Sequence, residues 1–278
     1  MHIHKTFYSR NNKAMAPVRV IKIIIEGNIG AGKTTILEKL KKESQLWLNE
    51  FLPELSGSIG LEVWTEPVET WTNDQGRNLL DEYYTRPGES AKLFQTLIQL
   101  QYFHQTASLM DMKRNDNIKT VIVIMERSIY SGRHVFMKVA KDIGLLSSED
   151  YQELNNTFNV MCQGNRFWSP FDGLIYISTD PKTCWERVQL RNRPAETRQT
   201  SFMSQSYLEK IHQKYIDWLD DLASKQDRRD SPVRTVLIQD TQAPLDQYEI
   251  FKRNIFHTVT LAMDHWQFRL HGLEHPEH

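Results

Sequence analysis

The run Gly27-Asn28-Ile29-Gly30-Ala31-Gly32-Lys33-Thr34-Thr35 follows the apolar segment Val20 to Ile25 and fits the pattern G-x-x-x-x-G-K-[ST]. Glycines at these positions let successive backbone N–H groups turn inward around phosphate oxygens. Lys33 can then reach β- and γ-phosphates, and the Thr34 hydroxyl can sit on Mg²⁺. A helix that starts near Gly32 aims its positive end at the same anions. These residues read as a nucleoside-triphosphate cradle. Further groups could act on what it holds. Glu66, kept extended by Pro67, could accept the proton of a hydroxyl attacking the γ-phosphate in line. Glu126 follows the apolar Val121 to Met125, and an acid at the tip of a buried strand could share Mg²⁺ with Thr34. Arg127 beside it could orient Glu66 or steady the transferring phosphate. Arg187, Arg191, Arg193 and Arg198 form a basic segment broken by Pro194, which suits a lid that closes on phosphate and excludes water.

Elements of regular spacing must place these groups. Val20–Glu26, Leu61–Glu66, Thr120–Glu126, Gly173–Ser178 and Arg234–Gln239 read as strands. Thr34–Glu43, Ala91–Met112, Ser128–Lys141, Ser148–Gln163, Pro181–Leu190, Ser204–Ala223 and Pro244–Met263 read as helices, with Pro181 at N1 after an Asp180 N-cap. Strands alternating with longer helical segments predict a five-stranded parallel sheet flanked by helices in three layers, a P-loop NTPase-type α/β fold with an arginine-rich lid. Ligands in such sheets bind outside the carboxyl ends of the strands. The phosphate run, Glu66 and Glu126-Arg127 all fall there.

The 278 residues are 40% hydrophobic and 25% charged, with a net charge of −1. That composition allows a sizeable core and gives no general pull toward nucleic acid or anionic lipid. No apolar run reaches the length of a membrane span. The two cysteines, Cys162 and Cys184, lack metal-type spacing and suit a reducing compartment, here the cytoplasm. Residues 20–264 read as one domain, 1–19 as a disordered extension and 265–278 as a tail. The basic, acid-free N-terminus also fits an organelle transit peptide, so mitochondrial import is the alternative.

From about Ile21 to Asp240 the chain resembles the deoxyribonucleoside kinases, a family that includes the insect multisubstrate enzyme, mitochondrial thymidine kinase, and the deoxycytidine and deoxyguanosine kinases. E-G-N-I-G-A-G-K-T-T, T-E-P-V-E-T-W, L-F-Q-T, E-R-S-I-Y-S-G-R-H-V-F and the arginine segment stand in the family's order. The resemblance implies ATP-dependent phosphorylation of a deoxyribonucleoside 5′-hydroxyl, with ATP and Mg²⁺ as cofactors and a homodimer as the assembly. It implies that Glu66 is the base, Arg127 its partner, and Thr34 and Glu126 the magnesium positions. Gln95 matches the amide that reads the nucleobase edge, Phe136 the ring that stacks on it, and Trp71 a wall of the same pocket. Ile29, Phe94 and Ile98 are implied to line that pocket as well. Tyr84 and Glu196 match the pair on the 3′-hydroxyl, with Tyr84 crowding the 2′ position. Arg191 and Arg193 match the lid arginines, with Arg187 nearby. Asp240, Thr241 and Gln242 fall in the loop that packs on adenine.

Two positions depart from the closest types. Gly132 stands where deoxycytidine and deoxyguanosine kinases carry Asp and thymidine-accepting members carry Ala. Tyr102 stands where those groups carry Arg and Met respectively. Gly132 points to the thymidine-accepting side, while Tyr102 could refill the room it leaves. The segments Glu43–Ser58 and Pro194–Met203 are longer than the resemblance implies. Two rivals share the phosphate loop. A nucleoside monophosphate kinase such as thymidylate kinase would repel its acceptor phosphate with Glu66, and a non-catalytic binding module has little need of base, metal acid and lid arginines together. A guanine-specifying N-K-x-D run after a late strand is missing, since Asp240-Thr241-Gln242-Ala243 stands there.

Overall fold

The computed structural model describes residues 19–72, 76–109, 117–162, 171–224, 233, 235–241 and 247–273, with side chains as far as Asp264. All five expected strands form: β1 (Arg19–Gly27), β2 (Ile59–Trp64), β3 (Thr120–Glu126), β4 (Gly173–Ser178) and β5 (Val236–Asp240). β1, β3 and β4 are rich in Ile and Val and buried along almost their whole length, as suits strands covered on both faces, while the edge strands β2 and β5 are only partly buried. The sheet has the order β2-β3-β1-β4-β5 and every pairing is parallel. β1 lies at its centre. Ile21, Ile23, Ile24 and Ile25 are fully buried there, each stabilising the fold by about 2 kcal/mol.

Helices cover the sheet. α1 (Lys33–Lys42) follows the phosphate loop, and α2 (Ser44–Phe51) follows α1 almost without a break. α3 (Val68–Thr72), α4 (Leu79–Thr85) and the long α5 (Pro87–Ser108) lie between β2 and β3. After β3 come α6 (Ile129–Ser131), a π-helical turn (Gly132–Phe136), α7 (Met137–Asp142) and α8 (Ser148–Cys162). α9 (Pro181–Arg191), α10 (Pro194–Thr197) and α11 (Gln205–Ala223) separate β4 from β5, and α12 (Gln247–Leu273) follows β5.

Several boundaries differ from the sequence reading. α2 fills part of the segment Glu43–Ser58: Trp47 and Leu48 are buried, with no Gly or Pro to mark the join with α1. β2 stops at Trp64 because the Glu66 amide is taken by the Glu126 carboxylate, 3.1 Å away, instead of a ladder bond. α5 begins four residues earlier than Ala91, with Pro87 at the first helical position, where its missing N–H costs nothing. The single helix expected over Ser128–Lys141 is interrupted by the π turn, a feature that often marks functional sites. The α9 start is as read: Asp180 accepts hydrogen bonds from Lys182 N and Thr183 N, and Pro181 sits at N1. β1 begins at Arg19, and α12 runs on to Leu273, inside the stretch expected as a tail. The rest of the expected N-terminal extension, and the tail beyond Leu273, lie outside the described residues.

Candidate active site

The carboxyl ends of β1, β2 and β3 open into a cleft of about 410 Å³, within the usual size for a small-molecule site. Its floor is the phosphate loop. Gly30 has φ 81°, and a Cβ there would lie 2.5 Å from the Cys184 carbonyl oxygen. Gly32 is left-handed at φ 95° and caps α1 without any side-chain hydrogen bond, and the first turn of α1 carries no acid. The first-turn N–H groups therefore stay available to an anion. Lys33 is buried and donates to Gly27 O at 3.1 Å and Asn28 O at 2.9 Å. Burial, and then the Arg127 charge, pull its pKa down to about 8. Asn28 braces the loop from behind: Nδ2 donates to Leu208 O at 2.9 Å and Oδ1 accepts from Ile29 N at 2.8 Å. Ile29, Gly30, Gly32, Lys33, Thr34 and Thr35 line the cleft, while Gly27, Asn28 and Ala31 do not.

Thr34 and Glu126 meet as the sequence reading expects. Thr34 Oγ1 donates to Glu126 Oε1 at 2.8 Å, and Glu66 N donates to Glu126 Oε2 at 3.1 Å. Glu66 and Arg127 also meet, with Nε 3.1 Å from Oε1. Arg127 takes φ 62°, a left-handed conformation disfavoured by about 1 kcal/mol or more for a side chain with a Cβ. It is held there on several sides. Its N–H donates to Ile25 O, and its Nη1 donates to Gly27 O at 3.1 Å and Tyr215 OH at 2.7 Å. Its guanidinium lies 4.7 Å over the Phe136 ring. Tyr215 in turn donates to Glu26 Oε2 at 2.9 Å, and Ser128 donates to Glu26 Oε1 at 2.9 Å. Burial raises the pKa of Glu26. This network of Glu26, Ser128 and Tyr215 escaped the sequence reading. Its one visible signal is an acid inside the apolar β1 run.

Ile29, Glu66, Trp71, Tyr84, Phe94, Gln95, Ile98, Tyr102, Arg127, Gly132, Phe136 and Glu196, the residues expected to face an acceptor, all line the same cleft and form its side-chain wall. Val68, Leu80, Tyr83, Ser131 and Tyr207 line it too and were not foreseen, because aromatic and apolar residues on helices look like core. Trp71 packs edge-on against Phe94 and donates to Gln101 Oε1. Tyr102 donates to Glu66 Oε1 at 3.1 Å. At Gly132 the nearest atom to an added Cβ would be Ile98 Cγ2 at 3.9 Å, so that side of the wall stays open.

The arginine segment divides. Glu196, almost fully buried on α10, receives Arg191 through Nε at 3.1 Å and Nη2 at 2.7 Å, and Arg193 Nη1 at 3.2 Å. Arg187 Nη1 donates to Ala31 O at 3.2 Å, on the phosphate loop. These three reach the cleft. Arg198 instead pairs with Asp81 of α4 at 3.0 Å and does not line the cleft. At the far edge, Thr241 N donates to Ser178 O, and the Thr241 and Thr179 hydroxyls lie 2.9 Å apart. Asp240 ends β5 beside them. Neither Asp240 nor Thr241 lines the cleft, and Gln242 lies outside the described residues.

Among the described residues no three His, Cys, Asp or Glu gather into a metal site. The Thr34 hydroxyl and Glu126 carboxylate are hard oxygen donors. Mg²⁺ is commonly bound by one or two protein oxygens together with substrate phosphates, so this pair fits it.

The family model described as deoxynucleoside kinase matches residues 23–263. The chain is 31% identical over 221 residues to deoxycytidine kinase of Homo sapiens, covering 72% of this chain and 76% of that protein. It is 31% identical over 218 residues to deoxycytidine kinase 2 of Gallus gallus, covering 72% and 74%. It is 30% identical over 197 residues to mitochondrial thymidine kinase 2 of Homo sapiens, covering 71% of this chain and 63% of that one.

Proposed function

The chain belongs to the deoxynucleoside kinase family and phosphorylates a nucleoside at its 5′-hydroxyl with ATP, and on that premise we propose how its own residues divide the work. The observation that carries the proposal is the contact between Arg127 and Glu66 beside the phosphate loop. The loop amides and the α1 N-terminus bind the ATP phosphates, and Lys33 leaves the loop carbonyls for the β- and γ-oxygens. Arg127 holds the Glu66 carboxylate, which accepts the 5′-hydroxyl proton as that oxygen bonds to the γ-phosphorus and the bond to the ADP oxygen breaks. Arg191 and Arg193 close on the phosphoryl group, and Arg187 steadies the loop. Little covalent chemistry falls to the protein, so positioning and charge stabilisation dominate. Thr34 and Glu126 would hold Mg²⁺, which when bound neutralises charge on the phosphates.

On the acceptor side Gln95 offers both a donor and an acceptor to a base edge, and Phe136 a stacking face. Ile29, Trp71, Phe94, Ile98 and Tyr102 complete the base pocket, and Tyr84 and Glu196 take the 3′-hydroxyl. The open side at Gly132 supports a preference for pyrimidines, thymidine included, or a broad one. Asp240, Thr241 and Gln242 flank adenine. A homodimer is the proposed assembly, with the exposed Leu93 and Leu100 of α5 as apolar surface available to it. The net charge of −1 supports small-molecule partners over nucleic acid. Among the described residues no helix is long and apolar enough to cross a membrane. The free thiols of Cys162 and Cys184 support a reducing compartment, the cytoplasm.

The test is ADP release from MgATP with each of the four natural deoxyribonucleosides and with thymidine monophosphate. The proposal expects turnover with nucleosides, thymidine among them. Turnover with the monophosphate alone would replace it with a monophosphate-kinase reading.

A further inference from the structure

Glu66 sits two residues beyond the end of β2, and its side chain is 19% exposed. A carboxylate on a flexible stem at that place must be aimed if it is to meet a hydroxyl in line with phosphorus. Two groups from different elements aim it, and both bind the same oxygen. Arg127 Nε, just past β3, and the Tyr102 hydroxyl, on α5, each lie 3.1 Å from Oε1. Oε2 accepts no hydrogen bond from a described residue.

Tyr102 is built to hold still. It is 3% exposed, its ring packs with Ile129 and Phe158, and it belongs to the 22-residue helix α5. Burial, and then the Glu66 charge, push its hydroxyl pKa well up, so it remains a proton donor at neutral pH. Arg127 alone would leave the carboxylate free to turn about one contact. With a second donor from another direction, its plane is set.

We infer that Tyr102 is a positioning residue for Glu66, fixing Oε1 so that Oε2 is the atom that takes the 5′-hydroxyl proton. The inference rests on Glu66 being the base.

The test is steady-state kinetics of Tyr102→Phe, Glu66→Gln and the double variant, with MgATP and the best deoxynucleoside. Phe keeps the ring and its packing and removes only the hydroxyl. Loss of one hydrogen bond to a charged group should lower kcat about tenfold, with KM for both substrates within about twofold. That loss should vanish in the Glu66→Gln background, where no carboxylate base remains to be aimed. An unchanged kcat for Tyr102→Phe, a loss carried by KM, or the same tenfold drop on top of Glu66→Gln would overturn the role of Tyr102. Near-wild-type turnover of Glu66→Gln alone would instead remove the base assignment on which the role rests.

Discussion

The phosphate-loop floor and the side-chain wall belong to one cleft, yet they are made differently. The floor is a short continuous run, Gly27 to Thr35, that presents mainly backbone N–H groups and one uncapped helix end. The wall is assembled from side chains on the consecutive helices α3, α4 and α5 and on the distant π turn and α10. A backbone cradle fails when its conformation is denied. A side-chain wall can lose or exchange a member and keep its shape. The two halves should therefore respond to substitution in different ways, and Glu66 and Arg127 are where they join.

The largest effect falls on the floor. Lys33→Met should lower kcat/KM by about 10³-fold, the scale for a donor that meets charge developing in the transition state. Steady-state assays over a range of ATP concentrations check it. Gly30→Ala should destabilise the protein by about 2 kcal/mol, because a left-handed backbone must carry a Cβ against the Cys184 carbonyl. Thermal unfolding with and without ATP should show a lower midpoint and a smaller rise on adding nucleotide.

A pH series sharpens the same half. The Lys33 pKa of about 8 lies below the ordinary lysine value, so the free protein has lost about half of that charge by pH 8 and loses most of the rest above it. ATP affinity should then weaken by about tenfold per pH unit, since binding must take up a proton. The sign for stability is the reverse. Between about pH 8 and the ordinary lysine value near 10.4 the unfolded chain binds more protons, so this group alone makes the unliganded fold more stable as pH rises. Calorimetry in buffers of different ionisation enthalpy measures the proton uptake, and its absence above pH 8 would break the assignment.

The wall should be more forgiving. Gly132→Ala adds a methyl with only ordinary contact to Ile98 and should change kcat/KM for the best deoxynucleoside by less than about threefold, well below the roughly 10–200-fold that a methylene costs where the pocket has no room for it. Arg198→Ala removes an exposed pair with Asp81 and should leave turnover within about twofold, since such pairs contribute about 0–1 kcal/mol. A large loss for Arg198→Ala would return it to the lid group.

This division also explains what the sequence made legible. The phosphate loop, β1 and β3 could be read because motif, apolar run and strand end are consecutive. Glu126 could be paired with Thr34 because the phosphate loop carries the chain from the tip of β1 to Thr34 at the start of α1, and β1 pairs with β3 in register up to Ile25 and Glu126. That the wall residues share one cleft was legible only through family resemblance, since Trp71, Tyr84 and Phe136 look like core on spacing alone. The Glu26–Tyr215 link joins residues 189 positions apart, and no local pattern announces it. α2 was missed because Glu43 and Ser44 join two helices without a breaker, and Arg198 was grouped with the lid because proximity in sequence says nothing of Asp81.

The most direct test of the two-halves account is single-turnover phosphoryl transfer by Glu66→Gln with both substrates saturating, alongside separate measurement of ATP and nucleoside affinity. The account predicts transfer slower by about 10²-fold or more, the usual scale for a general base, with both affinities near wild type. Transfer at close to the wild-type rate would contradict it.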